Sequence, residues 1–339
     1  MTTPAIPPEA VRLLNGFRAY QLVVAACRLK LPDLVAAGVG DPEAIAELTE
    51  THAPTMRRAL RGLAAVGFFK EQAPGRYVST QVSDAFRSDR PGLRNTAVML
   101  VGEGYRAWGE LMYCLQTGEP AFERVFGKSR WQKMADDPED AARFNAAMVE
   151  ITQRVAEALL AACDFGGVRT IVDIGGGTGA LLTRILIANP DAEGILFDVP
   201  AGLAGARAAL EAAGVADRVQ LVAGDFFESV PAGADLYLLK SIIHDWDDER
   251  ATRILTSCRT AMGVGSRLML VERRVPDQVT DPDADLPLVM SDLQMMVVLG
   301  GRERTTSEYA ALLEAAGLRM SRTIAMDSDF CAIEALTGP

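Results

Sequence analysis

Apolar runs alternate with helical stretches from residue 168 onward, and this alternation limits the possible folds more than any other feature of the 339-residue sequence. The runs that read as strands span residues 170–174, 194–199, 219–223, 234–240 and 267–272. Short apolar runs without polar alternation are typical of strands buried on both faces, and helices between them indicate parallel pairing. Two last runs, joined by a polar turn at Asp327, Ser328 and Asp329, predict a closing hairpin. We therefore expect an α/β sheet that binds its ligand at the carboxyl ends of the strands.

The first 163 residues carry helical patterns instead. Apolar helical spacing covers residues 10–37. Residues 41–80 then indicate helix, turn, helix and a short two-stranded element around Pro74 and Gly75, which is the outline of a winged helix. A later amphipathic helix can carry the chain into a second domain, and it places on one face Phe144, Met148, Ile151, Val155 and Leu159.

The charge and cysteine content exclude several classes of function. With a net charge of -11 and a pI near 4.9, the chain lacks the concentrated basic side chains that a nucleic acid or an anionic membrane surface requires. Its five cysteines form no C-x-x-C pair, so neither a disulfide framework nor a zinc site is indicated. The sequence opens without a basic segment followed by an apolar run, and it has no apolar stretch long enough for a membrane span. We expect a cytoplasmic protein that binds a small molecule.

The stretch "VDIGGGTGA", residues 172–180, follows the first strand and opens a helix, which is the context of a nucleotide-binding loop. Glycines permit a tight turn and a close approach between backbone and ligand. Gly175, Gly177 and Gly179 give the spacing G-x-G-x-G, whereas Gly175, Gly177 and Ala180 satisfy the dinucleotide pattern. The loop alone does not decide between the two cofactor classes.

Three acids near the loop favour one class. Asp198 ends the second strand and can accept hydrogen bonds from both ribose hydroxyls, while Asp173 precedes the loop and Asp225 follows the third strand. A pyrophosphate would be repelled by these carboxylates, whereas the sulfonium and ammonium groups of S-adenosylmethionine would be attracted. The alternative is structural: Asp225 can cap a turn, and Asp173 can hydrogen-bond loop amides.

His244 is one of only two histidines and follows the fourth strand in "SIIHDWDDER", residues 241–250. The acids after it are explained mostly by capping, because carboxylates in a first helical turn satisfy free amides and oppose the helix dipole. The other histidine, His52, lies inside the predicted helix-turn-helix and is interpreted as structural.

A catalytic base needs an orienting partner. Glu272 ends the fifth strand and Glu303 follows an apolar helix, so both can approach His244 across the carboxyl edge of the sheet. A carboxylate bonded to an imidazole fixes its tautomer and raises its basicity. The alternatives are a structural histidine at a helix start and, for the two glutamates, surface salt bridges with Arg273, Arg274, Arg302 or Arg304.

The motifs "VDIGGGTG", "FDVP", "GDFF", "LLKSIIHDWDDE", "LVERRVPD" and "GGRERTTSEYAALLEAAG" stand in this order. In this the sequence resembles the small-molecule O-methyltransferases of the caffeate and acetylserotonin type, including bacterial enzymes of secondary metabolism. The resemblance implies a winged-helix-like dimerisation domain over residues 1–100 whose helices interlock with those of a second copy. It further implies a helical linker over 101–163 that contributes to the acceptor pocket, and a Rossmann-like catalytic domain over 164–339 that binds S-adenosylmethionine.

The resemblance also implies roles for single residues. Gly175 and Gly177 approach the cofactor, and Asp198 holds its ribose. The other positions that match cofactor contacts are Phe144, Met148, Asp225, Phe226 and Lys240, of which Met148 also matches an acceptor contact. His244 matches the catalytic base that removes a hydroxyl proton without a metal, and the acids that position it match Glu272 and Glu303.

An acceptor pocket is indicated by apolar residues at helical spacing, Met290, Leu293 and Met296, and by Tyr105 and Trp108. Methionine side chains adapt to flat aromatic ligands, so we expect an aromatic or polyketide-derived phenol as the acceptor. Ordinary helix packing explains the same pattern equally well.

Two other functions fit part of the sequence. Ala180 allows a nicotinamide-dependent oxidoreductase, although the acids around the loop oppose it. A winged-helix regulator with a ligand-sensing domain is the second, but residues 41–85 hold six acids against five bases and give no electrostatic footprint for DNA.

The cofactor class is testable by calorimetric titration with S-adenosylhomocysteine and with NADH. We expect micromolar binding of S-adenosylhomocysteine to the wild type and its loss in Asp198→Ala, because the ribose hydroxyls lose their acceptor. NADH should not bind. Binding of NADH alone would make the glycine loop a dinucleotide site.

Overall fold

In the computed structural model, which describes residues 6–338, the chain divides into two units. The first unit runs to Tyr105 and includes Ala142–Glu150, and the second holds Arg106–Ala141 and the chain from Ile151 onward. The three-part division predicted at residues 100 and 163 stays a prediction. Residues 1–5 and 339, which it includes, lie outside the described residues.

The first unit is mainly helical. Its helices and strands are α1 (Pro8–Arg28), α2 (Leu31–Ala36), α3 (Pro42–Leu48), α4 (Ala53–Ala65), β1 (Phe69–Ala73), β2 (Arg76–Ser79), α5 (Gln81–Asp84) and α6 (Arg94–Leu100), and α7 (Glu103–Trp108) follows. The predicted helix, turn, helix and hairpin are therefore confirmed. The helical stretch expected over residues 10–37 is two helices, because Lys30 adopts a left-handed conformation with φ of 54° between them. Asp41 begins α3 by accepting hydrogen bonds from two backbone amides.

The second unit begins with the helices α8 (Leu111–Thr117), α9 (Ala121–Phe126) and α10 (Arg130–Asp136). The long helix α11 (Pro138–Ala162) includes residues of both units. The strands and helices that follow are β3 (Thr170–Ile174), α12 (Ala180–Ala188), β4 (Glu193–Asp198), α13 (Ala206–Ala212), β5 (Val219–Ala223), β6 (Leu236–Lys240), α14 (Asp248–Ala261), β7 (Arg267–Arg273), α15 (Pro282–Val298), α16 (Thr306–Ala315), β8 (Leu318–Ala325) and β9 (Phe330–Thr337).

These strands form one sheet in the order β5-β4-β3-β6-β7-β9-β8. Strands β3 to β7 pair in parallel, and β9 is antiparallel to both β7 and β8, so the predicted α/β sheet with a closing hairpin is confirmed. Successive side chains of a strand point to opposite faces. Tyr237 and Leu239 of β6 accordingly belong to one buried cluster, and Leu236 and Leu238 to the cluster on the other face. Both faces are covered, which explains the continuous apolar runs.

Two further expectations concern the cysteines and membranes. All five cysteines are buried and unbridged, as expected of small apolar residues. Within residues 6–338, the chain forms no helix with the length and apolar character needed to cross a membrane.

The sheet core is testable with a matched pair of valines. Val172 of β3 is 0% exposed, whereas Val264 is fully exposed in the turn before β7. We expect Val172→Ala to lower the free energy of unfolding by roughly 2 kcal/mol, because two methyl groups leave a cavity, and Val264→Ala to change it by less than about 0.5 kcal/mol. Urea unfolding of the two variants measures this difference, and equal effects would contradict the assigned burial.

Candidate active site

A sharp turn after β6 presents His244. Ser241 has φ of 55°, a left-handed conformation that is uncommon for residues other than glycine, and a short 3₁₀ turn covers Ile243–Asp245. The backbone amides of Ile242 and Ile243 donate to Glu272 Oε1 at 3.0 and 2.8 Å. Glu272 is the next-to-last residue of β7, so this strand fixes the turn that carries the histidine.

The imidazole is held by a second carboxylate. His244 Nδ1 lies 2.9 Å from Glu303 Oε1, and both residues are buried. Ser291 donates its hydroxyl to the same oxygen at 2.7 Å. An ionised carboxylate only accepts, so Nδ1 carries the proton and Nε2 is the nitrogen that can take another.

The other two carboxylates beside the ring are less tightly bound. Glu272 Oε2 is 3.6 Å from His244 Nδ1, and it is buried without a hydrogen-bond partner among the residues that the structure describes. Asp245 Oδ1 is 3.4 Å from Nε2. Asp247 caps α14 by accepting from the amide of Arg250, as expected of these acids, but Asp245 is buried beside the imidazole and departs from that expectation.

Burial and charge act in opposite directions on these groups. Burial lowers the pKa of His244, but the carboxylates of Glu303, Glu272 and Asp245 outweigh burial and raise that pKa to about 9. Burial raises the pKa of Asp245 to about 7, against the opposing effect of His244. Burial likewise raises the pKa of Glu272, whereas for Glu303 the opposing charge and hydrogen bond of His244 prevail and lower it. The three carboxylates therefore favour the protonated form of the imidazole, with Glu303 as its nearest partner.

The side chains of this cluster lie close enough together to hold a metal ion. Ligand atoms of His244, Glu272 and Glu303 all lie within 4.8 Å of one another. The 2.9 Å separation between Nδ1 and Glu303 Oε1 is the length of a hydrogen bond and is explained without an ion. The expectation that no metal is required stays a prediction.

The glycine loop approaches the cluster from β3. Gly175 and Gly177 have φ of 68° and 58°, and the amide of Gly177 donates to Asp198 Oδ2 at 2.9 Å. A Cβ atom on Gly175 would stand 2.4 Å from the side chain of Ile242, two residues before His244, whereas a Cβ atom on Gly177 would meet open space. The loop therefore packs directly against the turn that bears the histidine, with its backbone accessible at Gly177.

The acids predicted for the cofactor lie around this loop. Asp198 accepts from the amides of Gly177 and Val199, and its carboxylate has further lone pairs for two hydroxyl groups. Asp173 Oδ2 is buried without a hydrogen-bond partner within residues 6–338, and burial together with Asp198 raises the pKa of Asp173 to about 7. Burial lowers the pKa of Lys240 to about 8. These donors and acceptors fit a polar, cationic cofactor.

Asp225 and Phe226 follow β5 on the same side. Asp225 Oδ1 accepts from the amide of Phe227 at 2.8 Å, so it does cap a turn, as the structural alternative held. Phe226 packs edge to face against Phe227 and Trp246. One aromatic cluster thus borders the glycine loop and the segment after His244.

The residues predicted for the acceptor pocket divide between the units. Trp108 donates its indole N–H to Gln294 Oε1 at 2.6 Å, which attaches it to α15, and Met296 belongs to the same apolar cluster. Met290 is exposed and Leu293 half-buried on that helix. Three predicted residues belong to the first unit, Tyr105, Phe144 and Met148. All of these roles stay predictions.

Sequence reasoning missed three residues near the imidazole: Asp245, Ser291 and Arg304. Ser291 is a polar residue in the apolar run "PLVMSDLQMMVV", which is a signal that the sequence does carry. Arg304 was expected only as a surface partner for the glutamates. It is instead 1% exposed and bonds to backbone carbonyls around His244.

The raised pKa of His244 predicts a pH-dependent contribution to stability. The stability that protonated His244 contributes is complete below its ordinary pKa of 6.5 and is lost as the pH rises through about 9. The stability advantage of the wild type over His244→Gln should therefore shrink between these two values. Urea unfolding of both proteins from pH 6 to 9.5 measures it, and a constant difference would contradict the proposed pairing.

Comparison with known proteins agrees with this geometry. The family model described as an O-methyltransferase domain matches residues 108–319, and that described as an O-methyltransferase dimerisation domain matches residues 11–89. The phenazine O-methyltransferase PhzM of Lysobacter antibioticus is 38% identical, with 98% of this chain and 97% of that protein covered. A phenazine-1-carboxylate N-methyltransferase of Pseudomonas aeruginosa is 31% identical, with 93% and 92% covered.

A solved structure that resembles this chain contains two bound molecules. The O-methyltransferase NcsB1 from neocarzinostatin biosynthesis was crystallised with S-adenosylmethionine and 2-hydroxy-5-methyl naphthoic acid. It has a TM-score of 0.83 to this chain at 30% identity, and the match covers 99% of this chain and 100% of that one. The chain therefore belongs to the S-adenosylmethionine-dependent O-methyltransferase family.

Proposed function

We propose that the chain methylates a phenolic hydroxyl of an aromatic or polyketide-type small molecule, with His244 as the general base. The observation that carries this proposal is the buried 2.9 Å contact between His244 Nδ1 and Glu303, which leaves Nε2 as the proton-accepting atom. The match to an O-methyltransferase domain argues against the two alternatives considered from the sequence, a nicotinamide-dependent oxidoreductase and a winged-helix regulator.

The residues around the glycine loop would hold the cofactor. Asp198 would accept the ribose hydroxyls, Gly175 and Gly177 would face the cofactor with their backbone, and Phe226 and Asp225 would flank the adenine. Asp173 and Lys240 would complete the polar wall. When bound, S-adenosylmethionine supplies an electrophilic methyl group to the acceptor oxygen.

Proton transfer is the step that this chain's own residues perform. In the neutral form of the imidazole, which becomes more populated as the pH rises towards the His244 pKa of about 9, Nε2 would take the acceptor hydroxyl proton while the acceptor oxygen receives the methyl group of the bound cofactor. The resulting imidazolium keeps its Nδ1–H bond to Glu303, and Asp245 stands 3.4 Å from Nε2, so both nitrogens face a carboxylate. This pairing stabilises the charge that the step creates.

The pKa of His244 supports a phenol rather than an aliphatic alcohol. Transfer of a proton to His244 costs little free energy when the pKa of the acceptor hydroxyl is not far above that of the imidazole. A phenol, for which the tyrosine side chain is a measure, has a pKa of about 10, close to the value of about 9 that the carboxylates give His244. An aliphatic hydroxyl is a far weaker acid.

Transfer to nitrogen is the second candidate. It is favoured by the similarity to an N-methyltransferase over nearly the whole chain and by the carboxylates, which would attract a cationic amine. Parallel assays with phenolic and amino-substituted aromatic acceptors distinguish the two reactions.

The first unit supports assembly as a homodimer, through the match to a dimerisation domain over residues 11–89. Large apolar side chains of α1 are exposed within the single chain, including Leu13, Leu14 and Phe17. Such a surface is typical of one that a partner covers.

The role of His244 is testable with the other histidine as a control. With labelled methyl donor and 2-hydroxy-5-methyl naphthoic acid or related hydroxylated aromatics as acceptors, His244→Ala should lower kcat by ~10²–10⁴-fold, because general-base assistance is lost. Its affinity for S-adenosylhomocysteine should change little. His52→Ala should keep full activity, since the His52 ring hydrogen-bonds to the Thr55 hydroxyl at the start of α4, in the first unit. Loss of cofactor binding in His244→Ala would contradict the assigned role.

A further inference from the structure

One buried guanidinium joins the segments that carry the proposed base and its partner. The Arg304 side chain donates to the carbonyl oxygens of Ile243 at 3.1 Å and Trp246 at 2.9 Å, which lie just before and just after the His244–Asp245 pair. It also bonds to Asp248 Oδ1 at 2.7 and 2.9 Å and to the carbonyl of Arg302 at 3.3 Å. All three guanidinium nitrogens are therefore engaged.

The backbone of Arg304 is attached to the third segment of the site. It forms an isolated parallel bridge with Arg274, and its carbonyl accepts from the amide of Val275 at 3.2 Å. Arg274 lies two residues after Glu272 in the sequence. Arg304 thus connects the end of β7, the loop that bears Glu303 and the turn that bears His244.

The loop and the turn are also in direct backbone contact. The amide of Arg302 donates to the carbonyl of His244 at 2.9 Å. A Cβ atom on Gly301 would stand 2.1 Å from that same carbonyl oxygen, so only glycine permits this approach. The separation of the imidazole from Glu303 is therefore set by how the two backbone segments are held together.

We propose that Arg304 is a positioning residue for the proton transfer, because its guanidinium holds the turn of His244 against the loop of Glu303. This inference rests on the proposed function of His244 as the base. A lysine at position 304 would keep one positive charge near Asp248, but a single ammonium cannot reproduce the planar fork that reaches two carbonyls and a carboxylate together. The freed carbonyls of Ile243 and Trp246 would let the turn shift, and the Nδ1–Oε1 contact would lengthen.

The experiment uses the fact that the full chain has only two histidines. Protein labelled with ¹⁵N-histidine, in a His52→Asn background, gives imidazole signals from His244 alone. Their chemical shifts report which nitrogen carries the proton, and a pH titration reports the pKa without any acceptor or turnover. The variants are Arg304→Lys and Arg304→Met. The matched control is Arg302→Lys, whose side chain is half exposed and pairs with Glu308 and, at 3.7 Å, with Asp248.

In the background protein we expect a titration well above the ordinary histidine range, with Nδ1 protonated throughout. Arg304→Lys and Arg304→Met should lower the His244 pKa by roughly one unit or more and weaken the Nδ1–H signature, because the contact with Glu303 is lost. Arg302→Lys should leave both unchanged. Asp248→Asn, which keeps the guanidinium and its carbonyl bonds, should retain most of the shift.

An unchanged pKa and Nδ1 signature in both Arg304 variants would overturn the proposal, even if their melting temperatures fell, because a merely structural arginine affects stability alone. An equal change in Arg302→Lys would also overturn it. If Arg304→Met does not fold, Arg304→Lys decides. With an acceptor in hand, kcat of Arg304→Lys should fall at least about tenfold with acceptor KM nearly constant. Failure of the proposed function would appear separately, as full activity in His244→Ala.

Discussion

Parallel pairing of β3, β4, β6 and β7 is the constraint on which the site depends. The carboxyl ends of parallel strands all lie at the same edge of the sheet. Residues that are far apart in the sequence are therefore brought together there. Asp173, Asp198 and Glu272 reach this edge on three different strands, and Lys240 ends a fourth. The turn with His244 begins at that point, which explains why one edge holds both the glycine loop and the imidazole.

The protein keeps a charged imidazole buried, and that is costly unless the charge is compensated. Here the compensation comes in two forms. Glu303 forms a hydrogen bond with the ring itself. Glu272 instead accepts hydrogen bonds through one oxygen from the amides of Ile242 and Ile243, and so holds the turn. The family resemblance implies one positioning role for both acids, but they act differently: Glu303 contacts the ring of His244, and Glu272 contacts the backbone of its turn. Asp245 adds a third carboxylate whose own pKa lies near neutrality.

Sequence patterns predicted the strands, their parallel pairing and the closing hairpin well, since continuous apolar runs separated by helices have few alternatives. They also selected His244, Glu272 and Glu303 as candidates, because each lies at or just beyond the end of a strand or helix. The structure places the three side chains together, and their roles stay predictions. They could not assign Asp245 or Arg304. Whether an acid caps a helix or turns inward depends on a 3₁₀ turn of three residues. The burial of Arg304 depends on an isolated bridge to Arg274, 30 residues earlier in the sequence. Tertiary contacts of this kind produce no periodic pattern of apolar residues in the sequence from which they could be predicted.

The position of β9 has a consequence for how the enzyme is made. This strand is the last of the sheet along the chain, yet it lies inside the sheet, between β7 and β8, and its Cys331 pairs with Glu272. During synthesis a domain can complete its sheet only when its interior strands have emerged. One edge of β7 therefore lacks its native hydrogen-bonded neighbour until residues 330–337 have been synthesised. The glutamate that secures the histidine turn therefore gains its neighbour on β9 only after every other strand of this sheet has been synthesised.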